Sequence, residues 1–162
     1  MQPFLDIDAF GAGLQPRGRL IGLDLGTKTI GLALSDIERR IATPLRTLVR
    51  APFRKNVVEL IRILAEFEIA GLVLGLPLDL DGRETPRSQS TRAFARNLSA
   101  EIEAPIGFWD ERFSTAVVTR ALIENDVSRK RRAEVIDRMA AAYILQGALD
   151  RLAPDRRTFV HG

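Results

Sequence analysis

The stretch LIGLDLGTKTIGLALSD, residues 20–36, constrains this chain more than any other. Two short apolar runs flank GTKT and read as a β-hairpin, with strands over 19–25 and 29–35. Asp24 interrupts the first run. Leu23 and Leu25 share one face of an extended strand, so Asp24 projects from the other, together with Gly22 and Gly26. A carboxylate in a buried strand must be paired or must face something positive. The glycines beside it leave clearance for a bulky ligand or for a second backbone. The plainer alternative is an aspartate that caps a turn at the strand end.

The remaining pattern extends the sheet. TPLRTLV (43–49) reads as a third strand, with Pro44 suited to a sheet edge. Phe53 to Phe67 carries an apolar stripe at helical spacing. IAGLVLGL (69–76) is continuously apolar, as expected of a strand buried on both faces. A polar loop follows, then a basic helix from Arg87 to Leu98 and a short strand from Pro105 to Trp109. Ser114 is placed to cap a helix over 115–124, and Glu134 to Leu152 reads as a long alanine-rich helix. The order β-β-β-α-β-α-β-α-α predicts an α/β fold with a mixed five-stranded sheet and helices on both faces, the layout of ribonuclease H-like domains.

One such domain is expected over residues 19–152. It is preceded by a flexible lead-in at 1–18 that lacks the basic and apolar regions of a signal peptide, and followed by a tail at 153–162. An apolar fraction of 46% and a charged fraction of 28% are ordinary for a soluble protein, and no apolar run is long enough to cross a bilayer. Without cysteine, thiolate metal sites and disulfides are excluded, and a cytoplasmic location is expected.

Two further acidic positions stand out. Asp110 and Glu111 end the strand that contains Trp109; neighbouring strand residues point to opposite faces, so only one of them can face the same way as Asp24. Asp137 leads a stripe of Ala140, Ala141 and Ile144, whose small side chains let a helix approach the sheet closely. Carboxylates from a first strand, a later strand and the last helix would repel one another without a cation, and hard oxygen donors suit Mg²⁺ or Mn²⁺. Two such ions about 4 Å apart can activate water and stabilise the leaving oxygen in phosphodiester cleavage. With His161 the only histidine, neither a histidine base nor a zinc site is plausible. In GLPLDLDG (75–82), Asp79 or Asp81 is an alternative contributor of a second acid, and otherwise part of a surface turn. Net charge is only +3, but Arg129, Lys130, Arg131 and Arg132 form a dense block that could hold phosphates or lie on a solvated helix face.

Across GLDLGTKTIGLALSD, GLPLDLDG, SQSTRAFARNL (88–98), DERFST (110–115) and RKRRAEVIDRMAAAYILQGALD (129–150), the chain resembles the YqgF/RuvX family of Holliday junction resolvases, also described as pre-16S rRNA nucleases. The resemblance implies a ribonuclease H-like fold and a metal-dependent endonuclease acting on structured nucleic acid. The preferred substrate is the 5′ end of pre-16S rRNA, and the alternative is branched DNA. A non-catalytic ribosome-assembly factor on the same fold is a further alternative. It also implies that Asp24, Glu111 and Asp137 are the catalytic and metal-binding acids, with Asp110 the alternative to Glu111. Phosphate contacts are expected from Lys28, Arg87, Arg92, Arg112 and the block at 129–132. Junction cleavage would call for a homodimer, because two symmetric cuts need two sites. Departures from the family pattern are small: Thr29 where arginine is frequent, Thr85 where glycine is common, and Phe113 where leucine is common. Asp-Leu-Gly-Thr at 24–27 also resembles the phosphate loop of actin-like ATPases, but those use two such domains and one copy is present.

Overall fold

The computed structural model describes residue 3 and residues 6–113 and 129–153, with the backbone alone for 129–135. Strands β1 (Arg19–Leu25), β2 (Thr29–Ser35), β3 (Ala42–Val49), β4 (Ile69–Leu76) and β5 (Ile106–Asp110) form one sheet in the order β3-β2-β1-β4-β5. The helices are α1 (Ile7–Ala12), α2 (Phe53–Glu66), α3 (Pro86–Ser99) and α4 (Arg129–Leu152), with a 3₁₀ turn at Glu111–Phe113.

β1–β2 and β2–β3 are antiparallel, whereas β1–β4 and β4–β5 are parallel, as the predicted mixed sheet requires. β1 and the continuously apolar β4 lie at the centre, where both faces are covered. Pro44 falls on the edge strand β3, where a missing N–H costs no ladder bond to an outer neighbour. Alternation along the strands divides the core in two. Ile21, Leu23, Leu32, Leu72 and Leu74 pack with Val57 and Leu60 of α2 and with Phe94 and Leu98 of α3. On the other face Leu20, Ala33 and Val73 pack with Ala141, Ile144, Leu145 and Ala148 of α4.

Several boundaries differ from the sequence reading, most by one residue. α4 begins at Arg129, so the basic block belongs to its first turns; arginine and lysine are good helix formers. β5 runs on through Asp110. α3 starts at Pro86 because Thr85 caps it: the Thr85 side chain accepts from the Ser88 N–H at 3.0 Å, and Ser88 Oγ accepts from the Thr85 N–H at 2.7 Å. The helix expected over 115–124 lies outside the described residues, as does the tail beyond 153.

The larger correction concerns the lead-in. Residues 7–12 form α1, capped by Asp6, whose Oδ1 accepts from the Ala9 N–H at 2.7 Å. Phe10 is fully buried in the α4-side core, filling the space over Gly71 and Gly107, where any Cβ would meet its ring. Arg151 of α4 bonds Asp8 at 2.9 Å. A six-residue helix is too short to display a periodic stripe and is stable only through such packing.

Candidate active site

The three acids singled out in the sequence lie along one end of the sheet, on the face covered by α4. Asp24 is 1% exposed in β1 and pairs in register with Gly31 of β2. Its face is set by alternation: a Cβ on Gly22, two residues earlier, would meet Leu145 and the Ala141 carbonyl of α4. Gly31 carries the α4 backbone itself, since a Cβ there would overlap the carbonyl of Asp137. The Asp137 carboxylate then reaches over the β1–β2 turn, where Oδ2 would stand 3.0 Å from a Cβ on Gly26.

Glu111 comes from the opposite side. It is 6% exposed, and its Oε1 would stand 2.8 Å from a Cβ on Gly75 of β4. Leu23 pairs with Leu74, so Asp24 and Gly75 are each one residue beyond a shared rung. The acids thus form a row across three neighbouring strands: Asp137 over β2, Asp24 in β1 and Glu111 over β4. Adjacent strands are about 4.8 Å apart. Among the described residues no three acidic or histidine side chains are gathered tightly enough to hold an ion as they lie. The donor chemistry, all hard carboxylate oxygen, fits a divalent cation, and the missing side chains of Gly26, Gly31 and Gly75 let Asp137, the α4 backbone and Glu111 lie close against the sheet.

The 3₁₀ turn breaks the strand alternation at Glu111 and gives Asp110 and Glu111 different surroundings. Asp110 Oδ2 accepts from Arg112 Nη2 at 2.6 Å and from Nε at 3.0 Å, and Oδ1 accepts from the Arg112 N–H. Arg112 Nη1 also donates to the Leu80 carbonyl at 3.2 Å, so one side chain joins the end of β5 to the loop after β4. The hydrogen bond to Asp110 raises the Arg112 pKa. In that loop Asp79 Oδ1 accepts from the N–H groups of Asp81 and Arg83, so Asp79 shapes a turn rather than facing the acid row. Thr85 Oγ1 donates to the Pro77 carbonyl, which closes the loop without a glycine at 85.

The basic residues named from sequence are put to different uses. Arg112 is paired with Asp110 and donates to the Leu80 carbonyl. Arg92 pairs with Glu84 at 2.5 Å and lies over the Phe108 ring, so it too is occupied internally. Lys28 is exposed in the β1–β2 turn, and exposed Arg87 donates to the Leu25 carbonyl at 3.3 Å, one residue from Asp24. Arg129, Lys130, Arg131 and Arg132 open α4, two turns before Asp137, and their side chains lie outside the described residues. Sequence reasoning missed Arg50, whose Nη1 donates to the Gly26 carbonyl at 2.8 Å. Its only signal was a position just after a strand.

Residues 18–151 match the family described as RuvX: Holliday junction resolvase. A protein of Methylocella silvestris named "Putative pre-16S rRNA nuclease" is 61% identical over 91% of this chain and 92% of its own length. A protein of the same name from Cereibacter sphaeroides is 62% identical over 90% of this chain and 91% of its own. The fold is similar to that of Thermus thermophilus RuvC in complex with a Holliday junction substrate. There the TM-score is 0.51 at 13% identity, over 83% of this chain and 94% of that one. No helix among the described residues is long and apolar enough to cross a membrane.

Proposed function

Because this chain belongs to the RuvX Holliday junction resolvase family, we propose that it is a divalent-metal-dependent endonuclease of structured nucleic acid, acting on the 5′ end of pre-16S rRNA in the cytoplasm. The observation that carries the reading is the row formed by Asp24, Glu111 and Asp137 over three glycines at one end of the sheet. The names of relatives about 60% identical over nine-tenths of the chain support the substrate.

In this reading Asp24, Glu111 and Asp137 hold Mg²⁺ or Mn²⁺, with Asp24 central because it stands in the middle strand of the row. When bound, the metal supplies activation of water and stabilisation of the departing oxygen. The chain's own part is positional. Gly26, Gly31 and Gly75 let Asp137, the α4 backbone and Glu111 come down onto the strand ends beside Asp24, which sets the three acids side by side. The basic first turns of α4 and Lys28 supply phosphate affinity that does not depend on base sequence, as suits an enzyme that reads shape.

The decisive experiment incubates the purified protein with Mg²⁺ or Mn²⁺ and either a pre-rRNA 5′ leader or a four-way DNA junction. The reading requires cleavage of the leader that Asp24→Asn abolishes. A parent that binds the leader but never cuts it would make the protein an assembly factor. The family's description favours a second reading, resolution of branched DNA. Paired symmetric cuts in the junction, by a protein whose mass in solution is that of a dimer, would establish that reading instead.

A further inference from the structure

On the α3 side of the same strand end, two arginines from separate elements meet consecutive backbone carbonyls. Arg87, in the first turn of α3, donates to the Leu25 carbonyl at 3.3 Å. Arg50, just after β3, donates from Nη1 to the Gly26 carbonyl at 2.8 Å, and its backbone N–H donates to the Lys28 carbonyl at 2.8 Å. Both guanidinium groups therefore sit within two residues of Asp24 along the chain.

Their surroundings separate them from the neighbouring arginines. Arg92 and Arg112 are neutralised by Glu84 and Asp110, whereas among the described residues neither Arg50 nor Arg87 has an acidic partner. A guanidinium carries five N–H donors in a planar fork, and each of these two side chains spends one on a carbonyl. Arg50 is also held in place. Its guanidinium carbon stands 5.6 Å from the centre of the Phe94 ring. Asn56, fully buried, accepts from the Ala51 N–H at 2.9 Å and donates to the Val49 carbonyl at 3.0 Å, which fixes the backbone on both sides of Arg50. Exposed Lys28, in the same turn, adds a third positive charge. Pre-positioned, unneutralised forks suit planar recognition of phosphate oxygens.

We infer that Arg50 and Arg87, with Lys28, form a phosphate clamp. It takes a backbone phosphodiester of the nucleic acid next to the one that faces the acid row. The inference rests on the nuclease reading for its choice of ligand. The clamp lies on the opposite side of β1 from α4, so substrate passing over the end of the sheet is gripped on both sides of Asp24.

The test measures binding of a fluorescein-labelled RNA leader and of a labelled four-way junction by anisotropy, without divalent metal, across a salt series. It compares the parent with Arg50→Gln, Arg87→Gln, the double variant and the corresponding lysine variants. Each arginine that neutralises a phosphate contributes a slope of about 0.7 on single strands and about 0.9 on duplex. The double variant is expected to bind about tenfold more weakly, with a salt dependence shallower by roughly 1.5. The lysine variants should recover most of that slope, because charge rather than the carbonyl bond sets it. Unchanged affinity and slope in a folded double variant, with only turnover reduced, would overturn the clamp and leave two braces of the turn. Should Arg50→Gln prevent folding, Arg87→Gln decides, since its side chain is exposed: the clamp needs its slope to fall. A parent that binds but does not cut would end the nuclease reading, while the slopes would still judge the clamp.

Discussion

The Asp137 carbonyl rests on Gly31, the residue without a side chain that partners Asp24 across the β1–β2 hairpin. Gly31→Ala would thrust a methyl group into the carbonyl of Asp137 and the amide of Arg138, both backbone and unable to swing aside. The expected cost is about 1–3 kcal/mol of stability, read by urea denaturation, with at least a tenfold loss of cleavage as α4 is levered away. Gly11→Ala meets only the flexible end of Leu152, so it should cost clearly less.

Neutralising the acid row separates chemistry from folding. Asp24→Asn and Glu111→Gln should each lower cleavage at least about a hundredfold, more than is lost when a ligand's supporting partner is removed. Mg²⁺ or Mn²⁺ should raise the melting temperature of the parent but not of Asp24→Asn. An equal metal-dependent rise in both would remove Asp24 from the ligand set.

Arg112 should behave as a latch rather than a phosphate contact. Arg112→Gln breaks its bonds to Asp110 and Leu80. Amide exchange in the loop 78–83 should quicken and turnover should fall, while the salt dependence of nucleic-acid binding stays unchanged. A slope shallower by about one would mean that Arg112 does touch phosphate.

Phe10 tests whether α1 belongs to the folded body. Phe10→Ala empties a fully buried site over Gly71 and Gly107 and should cost about 3–5 kcal/mol in chemical denaturation. A loss below about 0.5 kcal/mol, the usual scale of surface changes, would restore the lead-in to a dispensable segment.

The loop between β2 and β3 carries a pH-dependent contribution. Burial pushes the Asp36 carboxyl up, but N–H groups of Ile41 and Arg40 donate to it, and the net pKa is lowered from 3.8. A lowered folded-state value means that the stabilisation is complete above the unfolded value and is lost as pH falls through the folded one. Asp36→Ala should therefore cost about 1 kcal/mol near neutrality, and the difference from the parent should shrink below pH 3.8.

The acid row shows where sequence reasoning reaches and where it stops. Asp24 was legible because a charge in an apolar strand between glycines breaks the local pattern. Glu111 was legible only as one of a pair, since the 3₁₀ turn that buries it and leaves Asp110 to Arg112 has no distinct local signal. Arg112 and Arg92 looked like the other arginines because an ion pair between elements is a matter of distance in space. Arg50 was missed for the same reason: the carbonyl it binds lies 24 residues away.

Periodicity and turn chemistry, which are local, determined by themselves the five strands, the edge position of Pro44, the two helices after β3 and β4, and the face from which Asp24 projects. Tertiary structure alone decided the rest. It laid Glu111 against Gly75 and Asp110 against Arg112, set Asp137 on Gly31, placed Arg50 and Arg87 on consecutive carbonyls, and turned residues 7–12 into a helix anchored by Phe10. The physical reason is common to all four. Each depends on the free energy of contacts between segments distant in the chain, and that energy exists only once the sheet has brought them together.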